Sequence, residues 1–223
     1  TKARSRGEIH SDADIEAAAR GAIASKFRNA GQTCVCANRL YVHASVAKAF
    51  TEAFVPLVAA LKVGDGVDAG VQIGPLIDQA GVNKVEAHVG DAISRGAHIR
   101  IGGHRPAGRG YFYEPTVLTD VSDDMLVMRE ETFGPVAPIA TFETDDEVLE
   151  RSNRGPFGLA AYFYTRDLSR AVRVSERLEY GIVGVNDALP SVAQAPFCGY
   201  KESGLGREGG TEGMEAFLET KYV

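Results

Sequence analysis

Cys34 and Cys36, two residues apart, carry the first chemical signal of this sequence; a third cysteine, Cys198, lies far downstream. A thiolate is both a strong nucleophile and a good leaving group, so one cysteine can form an acyl intermediate and release it. Cys34 follows the run FRNAGQT, with Arg28 upstream of it. A cation and oriented backbone amides there are expected to draw the thiol pKa from ~8.5 toward neutrality. Cys36 is near enough in the chain for a bridge to Cys34 to be weighed on geometry. On a regular strand the two side chains would share a face, with Cα atoms near the ~6.8 Å upper limit for a disulfide, so a bridge requires a bent loop. A single cysteine is more often a small buried hydrophobe than a nucleophile, and the surrounding residues must separate the readings.

Other motifs are weaker. GLGREG at Gly204 to Gly209 matches the dinucleotide fingerprint letter for letter. That fingerprint functions where a strand feeds the glycines and a βαβ unit follows. Here KES precedes it and little chain remains, so it reads as a turn. His10, His43, His88, His98 and His104 show no metal-ligand spacing and read as surface or incidental residues; no metal site is predicted. No G-x-S-x-G elbow is present.

The elements that must position these residues follow from periodicity. Ser11 with Asp14 reads as a capping box, and Ile15, Ala19, Ile23 and Phe27 recur every four residues, predicting a helix over residues 12–29 that Gly31 stops. A strand is predicted at Arg39–His43. A helix opening at Ser45 follows, in which Pro56 should cause a kink or an early end. Residues 64–78 form a turn-rich connection to a helix over 79–95 and a strand over 97–101. Further strands are predicted at Thr116–Thr119, Val136–Phe142, Ala160–Tyr164 and 181–186, with helices at Asp145–Asn153 and 167–178. A short helix and a last strand over 219–223 end the chain. This alternation implies an α/β domain whose mostly parallel sheet is covered by helices on both faces.

Composition narrows the setting. Against 30 Asp and Glu stand 24 Lys and Arg, a formal charge of −6. That balance argues against a nucleic-acid or anionic-membrane partner, which would need a basic stripe. No run of ~18 apolar residues is present to span a membrane, and the basic start TKARSRGEIH has no apolar run behind it. An odd cysteine count without framework spacing fits a reducing, cytoplasmic location.

Four segments in order carry a specific resemblance. GQTCVCANRLYV around Cys34, EETFGP at Glu130–Pro135, GLAAYFYTRD at Gly158–Asp167 and APFCGYKESGLGREGG at Ala195–Gly210 resemble the catalytic part of the aldehyde dehydrogenase superfamily. The longer form KFRNAGQTCVCANRLYV is most similar to its succinate-semialdehyde dehydrogenases. The resemblance implies a three-layer α/β catalytic domain over residues 12–223, with residues 1–11 a non-matching leader. It implies that Cys34 is the nucleophile, adding to an aldehyde to give a thiohemiacetal and then a thioester, with its backbone N–H toward the oxyanion. By the same likeness Glu131 faces the nicotinamide ribose and Phe133 the nicotinamide of NAD or NADP. Phe197 lines the substrate funnel, and Arg28 and Ser191 bind the far carboxylate of a short semialdehyde. An arginine grips a carboxylate with two hydrogen bonds, which suits such a substrate. The C-terminal strand is expected to join subunits into a homo-oligomer.

Three departures stand beside the likeness. The chain resembles only the C-terminal part of a family about twice its length. The nucleotide-binding half and the general base are therefore expected to be missing and turnover low; Glu8 is out of register for the base. Cys198 replaces a usual glycine and should be strained if its turn needs positive φ. Pro56 is unusual inside its helix. Two alternatives follow: a truncated, non-catalytic homologue, or a cofactor-independent thiol esterase using Cys34 alone.

Overall fold

The computed structural model describes residues 5–223. In chain order the strands and helices are β1 (Arg6–Ile9), α1 (Ile15–Lys26), β2 (Arg39–His43), α2 (Ala44–Ala59), α3 (Gln79–Ser94), β3 (His98–Ile101), β4 (Thr116–Thr119), α4 (Leu126–Arg129) and β5 (Val136–Phe142). Next come α5 (Asp145–Asn153), β6 (Phe157–Gly158), β7 (Ala160–Tyr164), α6 (Leu168–Arg177), β8 (Ile182–Val185), β9 (Phe197–Cys198), β10 (Tyr200–Lys201), β11 (Arg207–Glu208) and α7 (Glu212–Glu215). Seven strands form one sheet in the order β3-β4-β5-β2-β1-β7-β8, parallel except where β3 runs antiparallel to β4 at the edge.

The three-layer α/β expectation holds, and side-chain alternation is its cause. Along β2, Leu40 and Val42 join the core beneath α1 and α2, while Tyr41 points to the opposite face beside Val82, Val85 and Val89 of α3. β7 alternates likewise, with Tyr162 under α1 and Ala161 and Phe163 under α6. Burial on both faces is why these strands read as near-continuous apolar runs.

Several expectations need correction. α1 is capped by Asp14, whose carboxylate accepts the Ala17 amide at 3.0 Å, rather than by Ser11, and it ends at Lys26. α2 runs on past Pro56 to Ala59. Pro56 and the preceding-turn Glu52 are exposed, so the carbonyl left without a helical donor is on the solvent side. Residues 219–223 form no strand and are exposed. Cys198 lies in β9, outside the left-handed region, so it carries no strain of that kind. His10 and His88 are buried, not surface residues. GLGREG takes part in the short β11–β9 pairing and feeds no βαβ unit.

The largest correction concerns the start of the chain. Residues 1–4 of the expected leader lie outside the described residues, but β1 sits in the sheet between β2 and β7, all four residues buried. The domain therefore includes residues that the boundary after position 11 excluded. RGEI hides its strand because Arg6, Glu8 and the following His10 share one face. Arg6 donates to the Arg151 and Arg154 carbonyls, the latter at 3.3 Å. Glu8 accepts the Ser152 hydroxyl, and His10 Nδ1 lies 3.1 Å from the Asp145 carboxylate. The other face, with Ile9, packs into the α1–α2 core.

Candidate active site

Cys34 sits on a turn, half-buried, between α1 and β2. The turn is closed by the Cys36 amide donating to the Thr33 carbonyl at 3.1 Å. It is pinned from three sides. Ser5 Oγ donates to the Cys34 carbonyl at 2.8 Å, Tyr162 Oη donates to the Val35 carbonyl at 2.7 Å, and Gln32 reaches the 75–77 loop. In that last contact the Ile77 amide donates to Gln32 Oε1 at 2.9 Å. Cys36 is buried, its sulfur 2.7 Å from Thr33 Oγ1 and 3.5 Å from the Arg28 carbonyl; both thiols are free.

Between α1 and the turn the backbone leaves helical geometry. Asn29 and Ala30 take φ of 49° and 54°, and Gly31 takes 75°. Left-handed backbone at non-glycine residues is uncommon and collects at functional sites. Gly31 has a steric duty as well: a Cβ there would lie 2.1 Å from the Gly134 carbonyl oxygen. That close backbone approach brings the Glu130–Pro135 segment against the cysteine turn. Phe133 on the same segment is also left-handed, at 50°.

The segment is held by α3. Lys84 donates to the Glu131 carbonyl, His88 Nδ1 lies 3.1 Å from Thr132 Oγ1, and His88 Nε2 lies 3.4 Å from the Glu130 carboxylate. Burial, helped by the Lys84 charge, pushes His88 below its ordinary value. Glu131 is buried and close enough for its charge to act on the Cys34 thiol.

Two cavities adjoin the segment that leads from α1 to the cysteine turn, and Cys34 is among the lining residues of neither. One, of about 540 Å³, is lined by Ile23, Phe27, Arg28, Ile73, Leu189 and Ser191 among others. Arg28 and Ser191, far apart in sequence, thus meet on one apolar-walled space. The second, of about 650 Å³, is lined by Asn29, Gln32, Lys84, Thr132 and Phe133 with the 75–77 loop. Phe197 is half-buried against the α1–α2 core and is not among the residues lining the first cavity. Arg28 lies on the 3-10 turn after α1 and is exposed.

The electrostatics correct one expectation. The Cys34 thiol is raised, not lowered: burial is the largest cause and outweighs the backbone hydrogen bond at Cys34 itself, with the Glu131 carboxylate and the Cys36 sulfur adding smaller pushes upward. Residues that the sequence did not single out include Gln32, Lys84, His88 and Lys26. The first three are tied to the site by the contacts above. Lys26 ends α1, fully buried with its ammonium lacking a hydrogen-bond partner among the described residues. A lysine closing an amphipathic helix gives no sequence sign of such burial.

Comparison with known proteins fits this geometry. The model of the aldehyde dehydrogenase family matches residues 4–223. The chain is 54% identical over 215 residues to a 3-sulfolactaldehyde dehydrogenase of Pseudomonas putida, covering 96% of this chain and 44% of that protein. It is also 54% identical to the NADP(+) succinate-semialdehyde dehydrogenase of Escherichia coli, covering 96% of this chain and 45% of that protein. Among solved structures, a succinate-semialdehyde dehydrogenase from Burkholderia pseudomallei superposes with a TM-score of 0.94 at 51% identity, over 96% of this chain and 44% of the other. The chain thus spans less than half the length of the curated relatives it matches. With its fold, its cysteine turn and a family match over residues 4–223 in agreement, the chain belongs to the aldehyde dehydrogenase family.

Proposed function

We propose that this chain carries the nucleophile and the substrate face of an NAD(P)-dependent dehydrogenase that oxidises a short aldehyde with an anionic far end, succinate semialdehyde first. The observation that carries the reading is the cavity that Arg28 and Ser191 share at the end of α1, where the chain runs on from Arg28 to Cys34 six residues later. Its apolar walls suit a short carbon chain, and Arg28 supplies a cation able to pair with a carboxylate or sulfonate. Relatives named for succinate, glutarate and sulfolactaldehyde substrates share that design of an aldehyde with a distal anion.

In this reading the Cys34 thiolate attacks the aldehyde carbon, and its backbone N–H steadies the oxyanion of the thiohemiacetal. Loss of hydride leaves a thioester, which water cleaves to the acid and the free thiol. The second cavity fits a nicotinamide nucleotide in its donor set: an aromatic ring at Phe133, an ammonium at Lys84 and an amide at Gln32. NAD(P), when bound, supplies the hydride acceptor; Glu131 and Phe133 are the residues assigned to its ribose and ring. Cys36 stands as a candidate redox partner, and the exposed C-terminal residues as the candidate contact with a second copy.

The test joins this chain to the part of the E. coli relative that it does not cover. Succinate semialdehyde should then reduce nucleotide, read at 340 nm, and Cys34→Ala should remove at least ~10⁴ of the rate. Reduction that survives Cys34→Ala would sink the reading. A folded chimera that cleaves esters through Cys34 but reduces no nucleotide would point to the thiol esterase instead.

A further inference from the structure

A single buried cation is costly unless an opposite charge faces it. Lys26 is such a cation, and two groups act on its charge: the Cys36 sulfur and the Glu131 carboxylate. Backbone packing explains the meeting. A Cβ on Gly31 would lie 3.3 Å from the Lys26 carbonyl oxygen and 2.1 Å from that of Gly134. Ser25 Oγ, one residue before Lys26, accepts the Ala37 amide at 3.2 Å. The end of α1, the turn carrying the two cysteines and the Glu130–Pro135 segment therefore pack together where Lys26 is buried. From β7, Tyr162 also faces the cysteines, and burial pushes its phenol up, so it stays neutral.

We propose that Lys26 is a positioning residue of the cysteine site: its buried ammonium offsets the Glu131 carboxylate and so lets Cys34 ionise on its half-buried turn. The proposal rests on the reading of Cys34 as the nucleophile. Forming a thiolate near the buried Glu131 carboxylate places two negative charges together, which disfavours the second charge. Lys26 removes that conflict without touching the substrate. Burial brings its own ammonium down to about 8, so the help should be greatest below that pH and fade above it.

The experiment follows iodoacetamide alkylation of Cys34 in this chain across pH, with peptide mapping to separate it from Cys36 and Cys198. Unmodified protein, Lys26→Met, Glu131→Gln and the double variant are compared. Methionine keeps the length and removes the desolvation cost, so the fold should hold, checked by thermal melting. Lys26→Met should alkylate about tenfold more slowly near pH 7 and reach parity at high pH, as loss of a compensating charge requires. Glu131→Gln should alkylate faster near pH 7, and the double variant should return to within about threefold of the unmodified rate. If Lys26→Met fails to fold, the Glu131→Gln result decides, and no acceleration there would overturn the proposal. A slowdown equal at every pH, or a double variant as slow as Lys26→Met, would overturn it too. Absence of pH-dependent alkylation of Cys34 in the unmodified chain would instead remove the nucleophile reading on which it stands.

Discussion

At the scale of residues, the site pairs a reluctant thiol with surroundings that can release it. Cys34 is pushed up by burial, with Glu131 and Cys36 adding to the effect. The expectation of a depressed pKa failed because it counted Arg28 as the neighbour that matters, whereas Arg28 turns toward the cavity it shares with Ser191. The expected outcome is that alkylation of Cys34 still rises beyond pH ~8.5, at which a free thiol is half ionised. A plateau reached by pH 8 would contradict it. The candidate site residues were otherwise legible, since Cys34, Arg28, Glu131 and Phe133 lie in short motifs with fixed spacing. Lys26, Lys84 and His88 were not, because their importance comes from packing between elements distant in sequence.

At the scale of elements, the active turn depends on one close backbone contact. Gly31, at φ 75° and with room for no Cβ against Gly134, joins the cysteine turn to the segment bearing Glu131 and Phe133. Gly31→Ala should cost ~2 kcal/mol or more from left-handed strain plus the clash, lowering Tm by roughly 4–8 °C. Because the contact assembles the site, the same variant should also lose Cys34 reactivity beyond what the stability loss explains. A melting temperature unchanged within about 1 °C would show that the backbone relaxes freely there. Most strands and helices were readable to within a residue or two, as hydrophobic periodicity dictates local structure when burial is uniform. β1 escaped because a strand with Arg6, Glu8 and His10 on one face has no apolar run. The expected last strand failed for the opposite reason: LETKYV has the residues of a strand, but residues 219–223 pair with none of the seven strands of this sheet and stay exposed.

At the scale of the whole molecule, the sheet is built around a charged row. Arg6, Glu8 and His10 are buried beneath α5 and its neighbour α6, paired to the Arg151 and Arg154 carbonyls, the Ser152 hydroxyl and the Asp145 carboxylate. Asp145 in turn binds Arg170 at 2.9 Å; burial opposes its ionisation, but the hydrogen bonds from Arg170 and Arg173 outweigh this and hold its carboxyl below the ordinary range. Breaking such a network at one member leaves an unpaired buried group, whereas replacing the whole row with apolar residues removes the desolvation cost. Glu8→Ala should therefore lose ~3 kcal/mol in urea denaturation, and the triple change Arg6→Met, Glu8→Leu, His10→Phe should match or exceed the unmodified stability. A triple variant less stable than Glu8→Ala would show that the row is an optimised network. The central claim, that Arg28, Ser191 and Cys34 form one site for an aldehyde with a distal anion, is tested most directly by substrate protection of Cys34. Succinate semialdehyde should slow iodoacetamide alkylation of Cys34 at concentrations where butanal does not, and Arg28→Ala should raise the protecting concentration about 10- to 100-fold. Equal protection by both aldehydes, unchanged by Arg28→Ala, would contradict the account.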